Sequence, residues 1–122
     1  MNHNKIKYSY DKELNSLYIY TSKKYAYEES IELNPNVIMD FDNKKTPVAV
    51  ELLSASKLFK IDKYNFNNIK NLNVLIKINE DIIKLTIILT IHISEESIKQ
   101  EFDCKCINNL SAPNINTELG II

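Results

Sequence analysis

Across the first sixty residues, apolar and polar positions alternate with a period of two, which predicts strands that each bury one face. Ile6, Tyr8 and Tyr10 alternate with Lys5, Lys7, Ser9 and Asp11. The run Asp11-Lys12-Glu13-Leu14-Asn15 then supplies turn chemistry, and Leu17-Tyr18-Ile19-Tyr20 returns as the second arm of an antiparallel hairpin. Tyr25 to Leu33 alternates again, Asn34-Pro35-Asn36 breaks it, and Val37, Met39 and Phe41 line one face of a further strand. After the turn Asp42-Asn43-Lys44-Lys45, Val48, Val50 and Leu52 close a meander. Leu52, Leu53, Ala55, Leu58 and Phe59 approach helical spacing, so residues 54–59 read as a short helix with Ser54 as its cap.

The pattern shifts over Asp62 to Asn73, which holds five asparagines with Tyr64, Phe66 and Ile69 and reads as a brief helix or an ordered loop. Beyond it, Val74, Ile76 and Ile78 form one strand, Asn79-Glu80-Asp81 reverses the chain, and Ile82 to Ile93 gives the longest strand signal. In that strand Leu85, Ile87, Leu89, Ile91 and Ile93 form an apolar face, opposite Lys84, Thr86, Ile88, Thr90 and His92. Ile98 to Ile107 reads as an edge strand and Leu110 to Ile122 as a tail. The expected fold is mainly β: an antiparallel meander with a short helix near 54–59, then a long hairpin packed on it as a second sheet. The expected organisation is a β-meander over 1–60, a connecting segment over 61–73, and the hairpin with its last strand and tail over 74–122, all within one domain. Because the long hairpin is apolar and Pro-free, its face needs either the first sheet or a second copy of the chain, so a homodimer is also expected.

The three blocks Tyr8 to Tyr20, Val37 to Asp42 and Val50 to Ser56 together resemble a small prokaryotic family known as domain of unknown function 2283, over about Lys5 to Phe59. The resemblance implies a small β-rich fold of meandering strands closed by a short helix. It brings no established catalytic residue. Family members usually carry a glycine in the turn that Asn43 to Thr46 occupy here. Members lie beside genes for small toxins in some genomes, which implies an antitoxin-like role with a small toxin-like partner.

Composition changes the picture mainly by exclusion. The 122 residues contain one glycine, Gly120, so neither a phosphate-cradling loop nor a dinucleotide fingerprint can be built. Fifteen lysines stand against 16 acids with no arginine, a balance that argues against nucleic acid as a partner. The polar start, Met1 to Lys7, and the lack of an apolar run near 20 residues give the expectation of a cytoplasmic protein with no membrane partner. With glycine so scarce, Asn15, Asn36, Asn43 and Asn79 are the candidates for left-handed turn positions.

Candidate chemistry is thin. Cys104 and Cys106 would place both thiols on one strand face, ~6.6 Å apart at the backbone, the outer limit for a disulfide. With His3 and His92 they make the residue set of a structural zinc site, but the spacing does not favour one, and no metal or cofactor is expected. Asp40, Asp42, Thr46 and Glu51 match four positions of a calcium loop, yet Lys44 and Lys45 occupy the fifth and sixth. Glu28-Glu29 and Glu95-Glu96 are adjacent in sequence, so each pair points to opposite sides of a strand and no catalytic pair is expected. The better lead is aromatic: Tyr8, Tyr10, Tyr18, Tyr20, Tyr25 and Tyr27 as an exposed partner-binding patch, with cross-strand structural pairing as the alternative role. The expected function is a non-catalytic protein-binding module; the alternative is a small-molecule-binding or enzymatic β fold with a pocket between its sheets.

Overall fold

A computed structural model describes residues 5–110 and 112–121. The alternating segments form strands β1 (Ile6–Asp11), β2 (Ser16–Thr21), β3 (Tyr27–Asn34), β4 (Val37–Asp42) and β5 (Pro47–Leu52), followed by helix α1 (Ala55–Phe59) and a 3-10 helix, Lys63–Asn68. Then come β6 (Ile69–Ile78), β7 (Ile82–Ile93), β8 (Glu96–Ile107) and β9 (Ile115–Ile121). All pairings are antiparallel, in two sheets of order β1-β2-β5-β4-β3 and β8-β7-β6-β9. The protein is therefore mainly β, with the short helix between the sheets in sequence. Within the first sheet, β5 lies between β2 and β4, so the β1-β2 hairpin joins the β3-β4-β5 meander through β5.

The second sheet covers the first. Period-two alternation sends Leu17, Ile19, Val37, Met39, Phe41, Val50 and Leu52 to the same cluster as Leu72, Val74, Ile76, Ile83, Leu85, Ile87, Leu89 and Ile91. The apolar face of β7 is thus satisfied inside the chain. At the sandwich edges β3 lies beside β8 and β1 beside β9. Among the described residues no helix is long and apolar enough to cross a membrane.

Three expectations need correction. The tail from Leu110 contains a strand that was not expected, because Ile115–Ile121 pairs with β6 and makes β6 an interior strand. The segment after Asp62, read as a brief helix or an ordered loop, holds the 3-10 helix Lys63–Asn68 and the first residues of β6. Strand β6 begins at Ile69, earlier than the Val74 start that alternation suggests, and Phe66 is fully buried, stacked on Tyr10 with ring centroids 4.6 Å apart. Finally, Ser54 does not cap α1 through its side chain; it takes a left-handed conformation with φ 53°. Asn15, 41 positions before Ser56, accepts instead: its backbone oxygen from Ala55 N at 3.0 Å and its Oδ1 from Ser56 N at 3.1 Å.

Glycine scarcity is met differently from the expectation as well. All four asparagines lie in the chain reversals between strands, but only Asn15 (φ 52°) is left-handed; the others with positive φ among the described residues are Lys45, Ser54, Lys60 and Ser94. Asn79 works through its side chain instead, its Oδ1 accepting from Asp81 N and Ile82 N. In the β4-β5 turn, Lys45 N donates to Asp42 O and Lys45 carries φ 60°, while the Asp42 carboxylate accepts from Lys44 N and Thr46 N. This is a three-residue hairpin loop ending in a left-handed position that normally belongs to glycine, with lysine there in place of Asn43. Lys45→Gly should therefore raise stability by about 1 kcal/mol, read as an upward shift of the denaturation midpoint.

Candidate functional site

The inter-strand register decides which tyrosines can act together. Tyr8 and Tyr10 pair with Ile19 and Leu17, so they share the inward face and pack against the core. They do not belong to an exposed patch, because on β1 the tyrosines occupy the same parity as Ile6. Tyr18 and Tyr20 have the opposite parity on β2 and face outward.

On that outer face two ranks of side chains cross all five strands: Lys7, Tyr20, Ala49, Asp40 and Ser30, and beside them Ser9, Tyr18, Glu51, Ile38 and Glu32. Ala49 is fully buried although it lies on the solvent side. Its small side chain leaves room that the neighbouring tyrosines cover. The Tyr18 and Tyr20 rings stack at 5.3 Å, and the Tyr18 hydroxyl donates to Asp40 Oδ2 at 3.2 Å. Ser30 Oγ donates to Asp40 Oδ1 at 2.6 Å and shares a 2.7 Å hydrogen bond with the Tyr27 hydroxyl. A register shift between Tyr27 and Glu29 sits at that end of β3, where Tyr27 is 59 % exposed. Ser16 Oγ donates to Glu51 Oε2 across the rank.

Burial first, then the neighbouring Tyr25 hydroxyl and the Asp40 carboxylate, push the Tyr18 hydroxyl far above its ordinary 10.0. It therefore keeps its proton throughout the physiological range and serves as a donor. The result is a pre-ordered surface of tyrosines held by the half-buried Asp40 carboxylate, with Asp40, Glu51 and Glu32 giving it negative character. Sequence reasoning found Tyr18, Tyr20, Tyr25 and Tyr27 but missed Asp40 and Ser30 as their anchors. The available signal was polar residues at the outward parity of β3 and β4, which means little until the register is known.

The remaining candidates are dispersed. Asp40, Asp42 and Glu51, three members of the calcium-loop match, are each engaged by hydrogen-bond donors on different partners, and their segments are strands. His3 lies outside the described residues. His92 is exposed on the outer face of β7, with Ser97 Oγ 3.5 Å from its Nδ1. Cys104 and Cys106 are free and point inward, opposite Leu85 and Ile83. Burial above all, then the charges of Cys106 and Asp103, pushes the Cys104 thiol up to about 11, and burial raises Cys106 too. Neither is a ready nucleophile at neutral pH. Buried side chains of both sheets form one cluster, and a cleft of about 350 Å3 opens where β3 meets the end of β8, lined by Ile31, Glu32, Cys106, Ile107, Asn109 and Leu110.

With this geometry in place, comparison with known proteins adds lineage. A family model described as "Protein of unknown function (DUF2283)" matches residues 7–56, the segment that carries the first sheet and the start of α1. An uncharacterised protein of Methanocaldococcus jannaschii is 32 % identical over 117 residues, covering 95 % of this chain and 99 % of its own. A protein of Methanosarcina mazei that bears the name "Putative hypoxanthine phosphoribosyltransferase" is 31 % identical over 107 residues, covering 88 % of this chain and 85 % of its own. No solved structure matches.

Proposed function

Because the chain belongs to the DUF2283 family, whose description assigns no activity, we propose a function from its surfaces: a non-catalytic module that binds another protein through the outer face of the first sheet. The observation that carries this reading is the Tyr18-Asp40-Ser30-Tyr27 hydrogen-bonded array with Tyr20 stacked on it. Tyrosine offers large contact area with few rotatable bonds, and side chains already held in place lose less freedom on binding. The carboxylates of Asp40, Glu51 and Glu32 favour a basic partner surface. An antitoxin-like role, with a small toxin-like protein bound in the cytoplasm, is the most specific form of this reading and rests on the family resemblance.

Co-purification from the native host, followed by mass spectrometry, tests it. A stoichiometric partner should be retained by the unaltered chain and lost from Tyr20→Ala/Tyr27→Ala, while a variant altered on the outer face of β7, Thr86→Ala/Thr90→Ala, keeps it. Equal retention by all three would contradict the reading.

The cleft beside β8 favours a second reading, small-molecule binding, since its volume falls in the range of ordinary ligand pockets. A metabolite carried through native mass spectrometry would support that alternative. Phosphoribosyl transfer, suggested by the name of the Methanosarcina relative, finds no such support. The N-terminus of α1, where backbone N–H groups would meet phosphate, is already taken by Asn15, and the chain has one glycine and no arginine.

A further inference from the structure

We propose that Cys104 and Cys106 together form a two-coordinate site for a soft monovalent metal ion of the copper(I) type, entered through the cleft beside β8. Strand geometry sets the spacing of the two thiols. Residues two apart on a strand point the same way with ~6.6 Å between their backbone positions, and both thiols here face inward from β8. A disulfide needs the two Cβ atoms to approach to ~4 Å, which an extended strand resists, and both cysteines are free. Two metal–sulfur bonds in line span ~4.6 Å, taking ~2.3 Å for each, so each sulfur has only ~1 Å to lean toward the other. The spacing that disfavours a disulfide therefore suits a bridging ion.

The surroundings select the kind of ion. Among the described residues no group of three or more His, Cys, Asp or Glu side chains could hold a metal, so a dication that needs four ligands finds only two. Soft thiolates prefer copper(I), which is satisfied by few ligands. The inward neighbours, Ile83 and Leu85 across the ladder and Phe102 two residues before Cys104 on β8, are apolar and offer no competing ligand. Access exists because Cys106 lines the open cleft, whose rim includes Ile107, 70 % exposed. Binding displaces one proton from each thiol and leaves a bis-thiolate complex of charge −1. The Glu32 carboxylate lines the cleft, and the Lys45 ammonium, which donates to Leu110 O at 3.0 Å, brings positive charge to the rim. No oxidation or reduction of the protein is involved.

Anaerobic titration with copper(I) against a chromophoric chelator tests the site on the full-length protein. The expected result is one ion per chain, with Cys104→Ser and Cys106→Ser each weakening affinity at least 100-fold. Both variants are checked for an unchanged denaturation midpoint, and copper X-ray absorption is expected to show two sulfur neighbours. Three results would overturn the proposal: failure of the unaltered protein to compete with the chelator, serine variants that bind as it does, or one ion shared by two chains. Each is independent of whether the tyrosine face binds a protein.

Discussion

Replacing Phe66 with alanine should lower the unfolding free energy by ~3–5 kcal/mol, a large part of what a domain of this size possesses. Phe66 lies in the asparagine-rich segment between the two sheets, yet no part of it meets solvent. Its ring stacks on Tyr10 of the first sheet at 4.6 Å and meets Phe59 of α1 edge-on at 6.2 Å, while Phe59 in turn meets Phe102 of the second sheet at 5.9 Å. This aromatic chain ties the hairpin, the helix and β8 into one body, so its loss should be felt as a drop in the midpoint of a single cooperative transition. Phe66→Leu, which keeps most of the volume, should cost clearly less. A Phe66→Ala midpoint within error of the unaltered protein would mean that the segment is a passive connector.

The second large effect concerns Asn15. It holds a left-handed backbone conformation, accepts from Ser56 N, donates through Nδ2 to Ser56 Oγ at 2.7 Å, and receives the Tyr10 hydroxyl at 2.6 Å. Asn15→Ala removes the cap and places a Cβ-bearing residue without a compensating side chain at positive φ, for an expected loss of ~2–3 kcal/mol. Asn15→Gly removes the same hydrogen bonds but tolerates the backbone, so it should lose ~1–2 kcal/mol. Chemical denaturation of the pair separates the two contributions. Equal losses would show that the backbone conformation contributes nothing.

These two residues also mark where the sequence was legible. Period-two alternation located the strands of the first sheet and β7 closely, because a face that must be buried imposes that period whatever the partner. It did not show that β5 sits between β2 and β4, since pairing depends on chain reversals and not on periodicity within a strand. Nor did it show that Asn15 caps a helix by binding Ser56, 41 residues later, because Ser54, next to the helix, looked like the local cap. Strand β9 escaped notice since Pro113 and the asparagines around it masked a short pairing segment. At the candidate site, composition disclosed the tyrosines, while parity on β1 and β2 divided them: Tyr8 and Tyr10 support the core, and Tyr18 and Tyr20 face outward. Asp40 and Ser30, which hold the outer array, depend on neighbours from two other strands and could not be read from their own segments.

The most direct test of the binding face is crosslinking inside the native host with a photoreactive amino acid placed at position 20, and separately at position 86 on the outer face of β7. A discrete heterologous adduct is expected from position 20 and none from position 86. Adducts that form equally from both positions, or only from position 86, or that contain only a second copy of this chain, would contradict it.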